Sequence, residues 1–180
     1  MYKDAVDLEK DALRQGDIIA DTQIFGAINL KSITFLNNSK NEYEGWQCKA
    51  KPIFSYAVVL SHSCELDPAN GIKLTSIILA PVRDIDTATD KSKIDDLKNS
   101  NLLRPGQTHS YLKYFYLEPH PGINFSNGSV VDFSKTYSLK KDSYDEILKH
   151  KIIQLQETVA ENIALKYSAY FYRAAGVISA

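Results

Sequence analysis

Several things are scarce in this sequence, and each shortage excludes something. Cysteine occurs twice in 180 residues, as Cys48 and Cys64. Two thiols do not make a disulfide framework, so reduced side chains are the expectation. The longest unbroken apolar run is the stretch 56–60, far below the roughly 20 residues that cross a bilayer, and no membrane contact is expected. The first ten residues carry acids where a secretory signal has a basic start and an apolar core. A cytoplasmic location is therefore expected. Excess charge of one sign is also missing: 21 basic against 22 acidic residues leave a net charge of −1. That argues against strong nonspecific duplex binding by the whole surface, because such binding grows with the number of phosphates neutralised. A local strip at Lys135, Lys140, Lys141, Lys149 and Lys151 is diluted by Asp142, Asp145 and Glu146. No phosphate-binding glycine loop, zinc-protease helix or nucleophile elbow occurs.

What is present reads as one α+β domain over 1–180. An apolar content of 44 % at this length supports a single substantial core. The stretch 2–14 reads as a short helix, and Gln15-Gly16-Asp17 as a turn before a strand at 18–20. One or two strands are expected within 24–35 and another near 46–51. The stretch 54–61 is apolar without alternation, the pattern of a strand buried on both faces. A turn at 67–71 leads to a second such strand at 74–82, which Pro81 should end or confine to an edge. An insertion at 83–108 carries loop and short-helix character, with the helix near 89–99. Strands follow at 111–117 and 129–133, the latter continuing at 136–139 after a bend. The region 143–175 reads as helical. Within it 157–174 is amphipathic, with Glu161, Lys166 and Arg173 off the apolar face.

Eleven tyrosines include Tyr111, Tyr114, Tyr116, Tyr167, Tyr170 and Tyr172. Aromatics with basic neighbours stack nucleobases, and they are also good strand formers.

The densest reactive chemistry is Ser61-His62-Ser63-Cys64-Glu65, where a buried strand meets the rim. On a continuing strand His62 and Cys64 would share one face. Three chemistries fit these residue types. His62 and Cys64 supply two ligands for zinc, with Cys48, His109 and His120 as candidates to complete the four that a structural site needs. Cys64 could instead act as a nucleophile, with His62, His109 or His120 as its base. Or Asp17 and Glu65, with Asp67, could converge as an acidic pair for acid–base work or a hard cation. A bland alternative stands beside them: Cys64 as a small buried hydrophobe, His62 and Glu65 closing the strand end, and Asp67 capping a turn. Arg83 could reach the same rim to pair with Glu65 or hold a phosphate, or form a surface ion pair.

Gly16-Asp17-Ile18-Ile19, the strand 56–61 and Ile77-Ile-Leu-Ala-Pro-Val82, taken in order, resemble the core of the PemK/MazF-like toxins. The resemblance covers residues 16–82. It implies a small SH3-like barrel, RNA cleavage and a homodimer. Joined with the elements read above, the expected fold is a partly open barrel with strands in 16–82 and 109–140 and a C-terminal amphipathic helix. Two catalytic positions of that family depart here. No arginine lies between Arg14 and Arg83, and Arg83-Asp84 stands where a Thr or Ser follows the Ala-Pro strand. Ser61 to Leu66 and Tyr170 to Arg173 also resemble segments of uncharacterised bacterial and phage-borne proteins.

Two functions are therefore expected as alternatives. One is a binding or regulatory module in a toxin–antitoxin or phage-defence setting, contacting protein or nucleic acid. The other is an endoribonuclease or other phosphodiesterase using Asp17, His62, Cys64, Glu65 and Arg83. A zinc-stabilised structural domain is the third possibility.

Overall fold

The computed structural model describes residues 1–4, 8–20, 33–37, 43–48, 56–104 and 109–174. Its strands are β1 (Asp17–Ala20), β2 (Ile33–Asn37), β3 (Tyr43–Cys48), β4 (Tyr56–Val59), β5 (Ser76–Asp84), β6 (Tyr114–Leu117), β7 (Ser129–Asp132), β8 (Tyr137–Lys140) and β9 (Lys151–Gln154). The helices are α1 (Ser63–Leu66), α2 (Ile85–Ala88), α3 (Ile94–Lys98), α4 (His109–Leu112), α5 (Tyr144–Lys149) and α6 (Glu157–Ala174). Strands β2 and β3 pair with each other in a separate hairpin. The remaining strands form one curled antiparallel half-barrel in the order β6-β7-β5-β4-β1-β9, with β8 also on β5.

The central pair behaves as its apolar runs require. Val58 and Leu60 face one side, with Ala80, Val82, Phe115 and Ile153, and α6 covers them through Val159, Ile163 and Tyr167. Ala57 and Val59 face the other, with Leu13, Leu66, Ile77 and Leu79, beneath Tyr144 and Ile147 of α5. Burying each such aliphatic side chain is worth about 1.5–3 kcal/mol, so the two-sided strands carry much of the stability. A third, smaller core lies under the 83–104 segment, where Ile85 and Leu97 pack on Tyr114 and Val130.

Pro81 neither ends β5 nor sits at an edge: it pairs opposite Ala57 in the middle of the sheet. The register explains its tolerance. Ile78 directs its N–H to Ser61 Oγ and its C=O to Leu60 N, both on the β4 side. Alternate residues point alternately, so the nitrogen of Pro81 faces the β7/β8 side. There the ladder is broken, because the turn Phe133–Lys135 separates β7, which pairs Val82, from β8, which pairs Leu79. The missing donor falls where no acceptor is required.

Three other expectations change. The described parts of 2–14 are not helical; Tyr2 bridges Leu155 instead. Residues 109–112 are helical, so the strand expected from 111 begins at Tyr114. The region 143–175 is interrupted by β9, which pairs with β1. Lys151-Ile-Ile-Gln is too short to declare a period of its own. The expected strands in 24–35 and 46–51 fall largely outside the described residues, which place β2 and β3 at their ends.

Both ends of the sheet are covered. Lys3 N–H donates to Gln154 C=O beside β9. At β6, the Asn101 amide donates to Tyr116 C=O at 2.8 Å and accepts from Tyr116 N–H at 2.7 Å. A single side chain thus imitates a neighbouring strand and removes an edge open to pairing.

Candidate functional site

At Ser61 the β4 ladder runs out, and side chains take over the backbone pairing. Ser61 is buried, and its Oγ accepts from Ile78 N at 2.8 Å. The chain then turns into α1 rather than continuing as a strand. His62 is the N-cap, and its Nδ1 accepts from Cys64 N at 3.3 Å. The expected shared strand face for His62 and Cys64 is therefore corrected to a cap. The two side chains nevertheless meet, with Nδ1 3.0 Å from Sγ and both exposed. Cys64 is not the buried hydrophobe of the bland alternative. Ser63 Oγ accepts from Gln15 N, and Gln15 Nε2 donates to Leu60 C=O at 2.7 Å, which fastens the Gly16 turn to the strand end. Asp67 caps the following turn through Ala69 N, as expected for that residue.

Gly16 is needed where it is. Its φ is +86°, and a Cβ added there would lie 2.7 Å from Ala160 Cβ on α6. This close approach sets the start of α6 against the 14–17 turn. The resulting polar cleft of 330 Å³ is lined by Arg14, His62, Ser63, Glu9, Glu157 and Glu161, among others.

The other proposed rim residues lie elsewhere. Asp17 is fully buried behind the turn, accepting from Lys151 Nζ at 2.8 Å and from Arg14 N at 2.6 Å. Burial pushes its pKa up to about 6, against the opposing pull of Lys151 and the Arg14 N–H. Arg83 sits at the far end of the central pair, since β4 begins opposite Val82 and ends opposite Leu79. There it donates to the buried Asp132 at 2.9 Å. Glu65 is half-buried on α1 and lines none of the cleft just described. His62 and Cys64 are thus brought together, with Glu65 on the same turn; Asp17 and Arg83 are not.

The remaining candidate metal ligands separate as well. His120 meets the Tyr2 ring at a tilt of 50°, with centroids 4.4 Å apart, and accepts from Gly122 N. Among the described residues no three His, Cys, Asp or Glu side chains gather into a metal-sized group. The side chains of Cys48 and His109 lie outside the described residues. His62 and Cys64 remain two ligands of the four that a structural zinc requires.

Three residues that sequence reasoning missed carry buried charge or close an edge: Lys151, Asn101 and Lys166. Lys166, expected off the packed face of α6, is fully buried, with Nζ donating to Ser100 C=O and Oγ and lying 5.8 Å from the Phe115 ring centre. Burial lowers its pKa to about 7. The helix is packed against the sheet and also against α4, so its buried arc is wider than one apolar stripe. A lysine amid polar neighbours gives no sequence signal of that second contact.

The exposed surface differs in kind. Leu165, Phe171 and Tyr172 on α6, and Leu102 and Leu103 in the turn after α3, are large apolar side chains facing solvent. The Lys166–Ser100 bond sets these segments side by side. Tyr167, Phe171 and Tyr170 form edge-to-face contacts along the same end of the helix. Among the described helices none is long and apolar enough to cross a membrane.

No protein-family model and no curated protein matches the chain.

Proposed function

We propose that this chain is a protein-binding module, an SH3-like half-barrel that holds α6 as its contact element. The observation that carries the reading is the concentration of exposed apolar side chains on the C-terminal half of α6 and the adjoining turn. Exposed apolar clusters of this kind mark interaction surfaces, and tyrosine is a frequent anchor in them. The outward face of α6 begins acidic, at Glu157 and Glu161, and becomes apolar at Leu165, Phe171 and Tyr172. Its complement is a protein segment with an apolar strip and basic residues at one end, the pattern of helix-face recognition. The balanced net charge favours protein over nucleic acid as the partner. The resemblance described above gives this module a toxin–antitoxin or phage-defence setting.

The test is affinity capture followed by reconstitution with the purified partner. A Leu165→Glu, Tyr172→Glu double variant is expected to weaken that complex at least about tenfold while its circular dichroism matches wild type. An unchanged affinity in the double variant rejects this surface. RNA cleavage by the purified chain that disappears in His62→Ala replaces the reading with the enzymatic one.

A further inference from the structure

Cys64 and His62 form an exposed pair of a nucleophile and a base that a binding role for α6 does not use. The pair rests on local geometry. His62 follows β4 as the N-cap of α1, and that cap fixes the imidazole with Nδ1 3.0 Å from Sγ. Because Nδ1 also accepts the Cys64 N–H, its lone pair points towards the cysteine, and the ring proton belongs on Nε2. The backbone around the pair is held by Ser61, Ser63 and Gln15 rather than by the pair itself. Beside the pair lies the 330 Å³ cleft, which His62 and Ser63 line and Cys64 does not; its other walls carry Lys3, Arg14 paired with Glu9, and the anions Glu157 and Glu161. Such a lining suits a small molecule bearing charges of both signs.

We propose that Cys64, with His62 as its base, is a thiol–disulfide exchange site for small peptide disulfides carrying both amino and carboxylate groups. The thiol proton passes to His62 Nδ1 as Sγ attacks one sulfur of the disulfide. A Cys64–sulfur bond forms while the ligand's own sulfur–sulfur bond breaks. The departing thiolate takes the electron pair and then the proton. The ligand is reduced by one thiol equivalent, and Cys64 is left as a mixed disulfide.

Oxidised glutathione is the probe, applied to the full chain in a Cys48→Ser background and read by intact mass. His62→Asn keeps a side chain that caps a helix well but removes the base. General-base assistance is commonly worth a hundredfold or more, so this variant is expected to react at least about tenfold more slowly at pH 7. Its rate at pH 6, relative to that at pH 9, is expected to fall as well, which a purely structural cap would not cause. Cys64→Ser abolishes the adduct. If His62→Asn and wild type share the same rate and the same pH profile, the base role is wrong. If wild-type Cys64 reacts no faster than free cysteine at pH 7, the site itself is wrong. Should His62→Asn fail to fold, His62→Gln and direct comparison of the wild type with free cysteine decide between the same two outcomes.

Discussion

Among the described residues two lysine side chains are buried, and they are buried on different terms. Lys151 lies behind the Gly16 turn against the carboxylate of Asp17 and also donates to Ala12 C=O. Lys166 lies between α6 and the turn after α3, where it donates to the carbonyl and hydroxyl of Ser100. The first faces an acid, whereas the second donates to uncharged oxygens. The contrast shows where desolvation wins. Even with Lys151 at 2.8 Å, Asp17 is pushed up to about 6, so the pair does not fully offset its burial. Bonded to uncharged oxygens, Lys166 is carried down to about 7.

The largest break in this comparison comes from removing one partner of the pair. Asp17→Ala leaves the Lys151 ammonium buried and unpaired, and is expected to cost about 3–5 kcal/mol in urea unfolding. Combining Asp17→Leu with Lys151→Met removes both charges and should recover most of that loss. Equal instability in the single and double variants would show that the two side chains do not act as a unit.

The pH profile separates the two lysine sites by sign. Asp17 binds its proton more tightly folded, at about 6, than at its ordinary 3.8. Its contribution to stability therefore falls by a few kcal/mol as pH rises from about 4 to about 6, and is level above that. Lys166 binds its proton less tightly folded, at about 7, than at its ordinary 10.5. Its contribution rises by a similar amount between about pH 7 and pH 10. Lys166→Met should flatten the upper limb and leave the lower one intact, as chemical denaturation across pH would record. An upper limb that survives in this variant assigns it to another group.

The smallest effect sharpens the contrast between buried and exposed positions. Leu165→Ser and Tyr172→Ser on the outer face of α6 should each change stability by no more than about 0.5 kcal/mol. A loss of several kcal/mol would mean that these side chains support the fold, which would undercut their assignment to a partner.

The legible parts of the fold were those written in local chemistry. The unbroken apolar runs announced β4 and β5, Gly16 announced its turn, and Asp67-Pro-Ala-Asn-Gly71 announced the cap before β5. Less legible were β9, whose four residues gain strand character only by pairing with β1, and α4, which replaced the start of an expected strand. Of the candidate site, the His62–Cys64 meeting was anticipated as a strand face and is achieved instead by a helix cap. Asp17 and Arg83 looked equally placed to join it. Antiparallel register puts Arg83 at the opposite end of the central pair, and burial commits Asp17 to Lys151.

The division has a physical reason. Periodicity, turn chemistry and capping act over a few residues, so the chain alone determines the two-sided strands, the Gly16 turn and the amphipathic α6. Contacts across many residues decide the rest. Asn101 seals β6 by reaching Tyr116, Pro81 survives because the β7–β8 break faces its nitrogen, and Lys166 is buried only because Ser100 lies beside the helix. Each depends on what the fold places opposite a residue, and no property of the residue or its neighbours in sequence specifies that.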